Sequence, residues 1–185
     1  GSGSAVVAVP LLVSDLPPGR VRTVVTAPDP VLSQACEPVG PDDPDVVSLA
    51  ADLLATMAVS PGCVGLAANQ LGVAARVFCV DVSRHPKTAI SHGSFVLVNP
   101  VLVSATRKDR AREGCMSVPD FTGDVRRATR VTMAGQLPGT GAWVELTTDA
   151  FEARALQHEL DHIDGLLFLD RVAGAHAVHP RQTYQ

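Results

Sequence analysis

No run of 18 apolar residues occurs in this sequence, so no membrane-spanning helix is expected from it. Basic residues are not in excess: 15 Lys and Arg stand against 19 Asp and Glu, a formal net charge of −4. A surface built to hold nucleic-acid phosphates is usually basic, so direct nucleic-acid binding is not expected. Charged residues make up only 18% and apolar residues 46%, which excludes a disordered chain. The four cysteines, Cys36, Cys63, Cys79 and Cys115, form no CxxC pair. A chain of 185 residues can build a core without disulfides, so free thiols and a cytoplasmic location are expected. The apolar stretch 5–13 lacks a basic leader and a small-residue cleavage site, so it does not read as a signal peptide.

What is present falls into segments. Residues 1–4 read GSGS, the look of a tag remnant, within an N-terminal extension over 1–19. Residues 14–44 are rich in Pro and Asp and read as extended chain and turns. Val46, Leu49, Ala50, Leu53, Leu54 and Met57 then follow helical spacing, with Asp45 as N-cap and Pro61-Gly62 as stop. Short Val-rich strands are expected over 76–82, 95–102, 115–118, 131–136 and 143–147. A second helix is expected over 150–164, with Asp149 and Glu152 as a capping box and Gly165 at its end. Helices and strands are segregated more than alternating, so the fold class expected is α+β with mostly antiparallel short strands. No repeat or linker divides residues 20–171, which read as one domain before a short tail, 172–185.

The second helix contains QHELDHIDG at 157–165. His158 and His162 are four apart, so both imidazoles leave one helical face and can hold one ion. Glu159 is placed to handle the proton of a water bound there, and Phe151 and Ala155 give that face an apolar wall. A catalytic metal usually takes three protein ligands and keeps one position open. Position 168, where one protease branch would need histidine, is Phe168. Asp164 lies roughly 200° around the helix from His162 and faces away. Asp170, His176 and His179 follow no defensible spacing but stay open. Upstream, Cys115 in EGCMSVP offers a thiolate, and Cys/His/His is a recognised tetrahedral set for Zn²⁺ or Fe²⁺.

The stretch GCVGLAANQLG at 62–72 has small residues that permit close backbone approach, and Gln70 offers a neutral amide donor for an oxyanion. Taken alone, it reads more readily as a tight turn with Gln70 exposed. No Lys follows its glycines, so it is not a phosphate loop.

GLAANQ (65–70), EGCMS (113–117) and QHELDH (157–162), in that order, together resemble the peptide deformylase family. DPVL at 29–32, VNP at 98–100 and GLLFLDR at 165–171 extend the resemblance over about 20–171. It implies short antiparallel sheets packed around a central helix that carries H-E-x-x-H. It implies hydrolytic removal of the formyl group from N-formylmethionine of nascent polypeptides, with release of formate. Cys115, His158 and His162 would hold one divalent metal, Fe²⁺ as the typical working ion with Zn²⁺ or Ni²⁺ as alternatives. Glu159 would be the general acid/base, and the Gln70 amide and the Met116 N–H the oxyanion donors. The peptide would lie as an added strand beside Val64, Gly65 and Gly114, with Met116 and Phe151 also in contact.

Departures are few. Cys63 stands where the family often has glycine, which implies a changed turn. Met116 replaces a commoner Leu, at a position whose donor is backbone. Arg154, one turn before His158, could border the side-chain pocket but reads more readily as a solvated or core-edge arginine, and a buried Glu113 needs a cationic or N–H partner that Arg126 or Arg127 could supply. Transient ribosome association stays open, but the tail after Arg171, ending in HPRQTYQ, lacks the long basic helix of some relatives, which puts docking by that route in doubt. The alternatives are an H-E-x-x-H metalloprotease, a non-catalytic relative and a relative specialised for another formamide.

Overall fold

The computed structural model describes residues 12, 14–86, 88, 90–172 and 174–181. The N-terminal remnant and most of the extension, with residues 182–185, lie outside them. Helix α1 (Pro44–Ala58) starts two residues earlier than the apolar spacing suggests. Its cap is Asp43, whose side chain accepts from the Asp45 N–H at 2.8 Å, so Asp45 sits in the first turn. Pro44 at the first helical position fits there because its missing N–H would be unpaired anyway.

Strands β1 (Gly65–Ala67), β2 (Val77–Val80), β3 (Phe95–Cys115), β4 (Val118–Gln136) and β5 (Trp143–Asp149) form one antiparallel sheet in that order. A sixth strand, β6 (Val178–Pro180), pairs with β4. The α+β class with antiparallel pairing therefore stands, but one six-stranded sheet replaces several short ones. Two of its strands are long, at 21 and 19 residues. The expected strand at 115–118 is instead the tip of the β3–β4 hairpin: Cys115 ends β3, Val118 opens β4, and the two are register partners. Residues 103–112, half of them charged, carry no apolar alternation because this part of β3 is almost wholly exposed. Asn99-Pro100 forms a bulge inside β3. Asn99 has φ +51°, and its amide clamps the Val39 backbone at 2.9 and 2.7 Å.

Alternation along β2 and β3 sends side chains to two faces. Val77, Cys79, Val96 and Val98 pack with Val46, Leu49, Leu53 and Met57 of α1. Phe78, Val80, Phe95 and Leu97 pack with Ala153, Leu156 and Ile163 of helix α2 (Ala150–Ile163). α2 carries QHELDH. Its N-cap is Asp149, but no side-chain capping bond forms, since Asp149 pairs with Arg130 at 2.8 Å. Glu152 turns inward to Thr148 Oγ1 and to the His92 backbone and ring. Gly165, at φ +81°, follows the helix end; a side chain there would strike the backbone of Ser33 and Gln34. Among the described residues, no helix is long and apolar enough to cross a membrane.

The layered packing predicts unequal costs along the sheet. Phe78→Ala should lower unfolding free energy by about 3–5 kcal/mol in denaturant titration. Val103→Thr, on the exposed part of β3, should stay within about 0.5 kcal/mol of the parent. Similar losses at both positions would contradict this placement of the core.

Candidate metal centre

The hairpin tip and α2 bring three ligand-type side chains together. Cys115 Sγ and one nitrogen each of His158 and His162 lie within 4.8 Å of one another. The His162 Nε2 is 3.2 Å from the Cys115 sulfur. The two imidazoles meet edge to face at 4.9 Å, as expected for positions four apart on a helix. Burial alone would raise the Cys115 thiol, but His162 and His158 together pull it well below its ordinary value. A thiolate and two imidazoles on three sides of a point suit a tetrahedral divalent ion with one position open. Asp164 pairs with Arg76, Asp170 accepts from the Leu167 N–H, His179 pairs with Asp124, and His176 is exposed. None of those four joins the group.

His158 is held by what lies behind it. Its Nδ1 is 3.0 Å from Glu113 Oε1, which leaves Nε2 for the ion. Glu113 also accepts from Arg127 Nε and Nη2 at 2.9 and 3.0 Å and from Arg154 Nη1 at 2.9 Å. Burial opposes its charge, yet these partners hold the carboxyl well below the usual range. Of the two arginines foreseen for Glu113, period-two alternation turns Arg127 inward and Arg126 outward. Arg127 is 4% exposed and bridges onward to Asp161 of α2, which Arg171 also holds at 2.8 and 2.9 Å. Arg154 is a core-edge arginine as expected and also lines the cleft.

Glu159 is 3% exposed, and its Oε1 has no hydrogen-bond partner among the described residues. Burial pushes the carboxyl up to about 7, against the downward pull of both histidines. Gly65 is required by this carboxylate, because a Cβ there would sit 2.7 Å from Glu159 Oε2. Gln70 is buried and not exposed as the isolated segment suggests. Its Oε1 accepts from the Ala67 N–H at 3.0 Å, and its Nε2 donates toward Cys115 Sγ at 3.3 Å and Ser117 Oγ at 3.1 Å. Sequence reasoning passed over Ser117, which also donates to Val25 O at 2.6 Å, and Asn69, which donates to the His162 carbonyl. Cys63 donates its thiol to Gly65 O at 3.1 Å, and burial pushes that thiol up to about 12, so it acts as a neutral turn clamp.

A cleft of about 230 Å³ opens over the group, lined in part by Val64, Gly65, Gln70, Gly114, Met116 and Phe151. That is below the ~300–1,000 Å³ of sites that enclose a whole drug-sized ligand. It suits one side chain, with the rest of a longer ligand lying outside.

Arg127→Leu leaves Glu113 and Asp161 buried without their shared cation and should cost about 3–5 kcal/mol in denaturant titration. Asp161 is buried, which would raise its carboxyl, yet Arg171 and Arg127 hold it below its ordinary value. Its contribution is therefore complete above about pH 5 and lost as pH falls below about 4. The variant should show a shallower loss over that window; an unchanged acid profile would contradict the bridge.

A model of the polypeptide deformylase family matches residues 21–177. A peptide deformylase of Halothermothrix orenii is 42% identical over 144 residues, 78% of this chain and 88% of the relative. One from Mesorhizobium japonicum is 36% identical over 154 residues, 83% and 85% respectively. A solved Met-Ala-Ser-bound class I type b peptide deformylase from Acinetobacter baumannii superposes with TM-score 0.76 at 31% identity, over 83% of this chain and 99% of that one. Matches of this extent, over the strands and helix that assemble the Cys/His/His group, place the chain in the polypeptide deformylase family.

Proposed function

We propose that this family member removes the formyl group from N-formylmethionine of nascent polypeptides and releases formate, with residues 20–171 as its catalytic domain. Cys115, His158 and His162 would hold one divalent ion; the donor set suits Fe²⁺, Zn²⁺ or Ni²⁺, and only the family resemblance favours Fe²⁺. Bound there, the ion would supply a Lewis acid that acidifies a water and polarises the formyl oxygen.

The remaining steps belong to the chain's own groups. Glu159 takes the proton of the attacking water and delivers it to the leaving amine nitrogen, a role suited to a carboxyl near 7. The Gln70 amide and the Met116 N–H donate to the oxygen on which negative charge develops. The peptide runs beside Val64, Gly65 and Gly114 as an added strand, and its first side chain enters the cleft between Met116 and Phe151. The observation that carries this reading is the buried Glu159 carboxylate, with one oxygen unpartnered among the described residues, beside the Cys/His/His group. A site with a purely structural metal has no use for such a group.

Metal-loaded protein, prepared anaerobically, should release formate from formyl-Met-Ala-Ser and leave Met-Ala-Ser intact. Internal cleavage without formate would favour the metalloprotease reading and overturn this one. Glu159→Gln should keep one metal per chain while kcat falls by about 10²–10⁴-fold. Undiminished turnover would remove Glu159 from the mechanism.

A further inference from the structure

Strand register sorts the side chains of the long β3–β4 limb onto two faces. Residues directly opposite one another in an antiparallel pair point the same way. Asp109 with Arg127, Ala111 with Val125 and Glu113 with Gly123 form the inward set, in which Arg127 and Val125 are buried. The alternate pairs are Thr106 with Arg130, Lys108 with Ala128, Arg110 with Arg126 and Arg112 with Asp124. The outward face therefore carries Lys108, Arg110 and Arg112 from β3 with Arg126 and Arg130 from β4. Two carboxylates share that face. Asp124 takes Arg112 at 2.9 Å, Arg110 at 3.5 Å and His179 at 3.0 Å, and Asp149 takes Arg130 at 2.8 Å.

Three cations of the limb are left over. Lys108 and Arg126 are exposed and meet no carboxylate among the described residues, and the same holds for Arg107 beside Lys108. The net charge of −4 over the whole chain conceals this local excess. Packing does not account for it. Arg110 and Arg126 are like charges directly opposite, a pairing that costs stability. No apolar contact offsets that cost, because residues 101–110 of β3 are exposed. Strand β2 covers the other edge of β3 only over Phe95–Val98, so among the described residues no strand lies along the limb. The face ends at the mouth of the cleft. Arg112 lines the rim there, and Arg181, brought in by the pairing of β6 with β4, lies over Gly114.

We propose that the outward face of the β3–β4 limb docks the phosphate backbone of RNA beside the cleft, with Arg107, Lys108 and Arg126 making the contacts. Arg110, Arg112 and Arg130 keep their carboxylates and add only to the field around the limb. The choice of RNA among anionic partners rests on the deformylase reading above: a nascent peptide is tethered to an RNA-rich particle, and its end enters the cleft at this face. Residues 103–112 include no aromatic side chain on which a base could stack, so a duplex, held by its phosphates and not by its sequence, is the form that fits.

The test is fluorescence anisotropy of a labelled RNA duplex of about 20 base pairs with the full chain, a length that spans a protein-sized footprint. Three phosphate contacts predict that log K falls against log salt concentration with a slope of about −3. Arg126→Glu should weaken binding about tenfold at low salt and reduce that slope by about one, and Lys108→Glu should act alike. Arg20→Glu makes the same charge change beside α1, where the Arg20 N–H meets Asp52, and should shift Kd by less than about twofold. Arg126 lies outside the cleft lining, so Arg126→Glu should release formate from formyl-Met-Ala-Ser at the parent's rate. Equal losses in Arg126→Glu and Arg20→Glu would assign binding to net charge alone and overturn the proposal. So would binding to phosphatidylserine vesicles without binding to the duplex. Formate release without duplex binding would overturn the docking face and spare the deformylase reading. Duplex binding that Arg126→Glu abolishes, with no formate from any form, would uphold the face and overturn that reading.

Discussion

Arg127 is the buried cation on which the geometry of the site depends. From β4 it reaches Glu113 on β3 and Asp161 on α2, and so ties the hairpin to the helix through charge. Glu113 passes that constraint to His158 Nδ1, and Asp161 passes it to Arg171 beyond the end of α2. Buried ion pairs often stabilise a fold no better than apolar residues of the same size, because desolvation offsets their attraction. Their value here is orientation: the His158 ring can present Nε2 to an ion only while Nδ1 is held from behind. Phe168, stacked at 6.5 Å from the same ring, keeps that side apolar.

The other constraint is closeness of approach. β1 passes so near α2 that Gly65 leaves no room for a side chain beside Glu159. That contact is part of the burial that keeps water from the carboxylate and raises its pKa. Among the described residues β1 pairs on one edge only, with β2, and the proposed peptide strand would use the other edge. The low charge of the chain fits this mode of recognition: main-chain hydrogen bonds and one apolar pocket need few surface charges.

Much of this was legible from residue patterns, and the parts that were not share a cause. Helical spacing located α1 and α2 because each buries one stripe. Spacing also nominated His158, Glu159 and His162, which the helix does bring to one face. The long exposed limb of β3 escaped notice because a strand wet on both faces has no apolar period. The hairpin tip at Cys115 resembles a strand in sequence for a related reason: four residues cannot distinguish a turn from an extended run. The Asp149 capping box failed because Arg130 and Thr148 compete for its two carboxylates. Arg127 was one of two candidates, separable only once the register of β4 was known. Gln70 reads as exposed unless the hairpin is known to cover it. Arg181 had no signal at all, since only the pairing of β6 with β4 brings it to Gly114.

X-ray absorption on the metal-loaded protein tests the central claim most directly, that one ion is held by Cys115, His158 and His162. With Zn²⁺ bound, one sulfur at about 2.3 Å and two imidazole nitrogens at about 2.0–2.1 Å are predicted, and the sulfur should disappear in Cys115→Ala. A spectrum without sulfur, or one unchanged by that substitution, would contradict it.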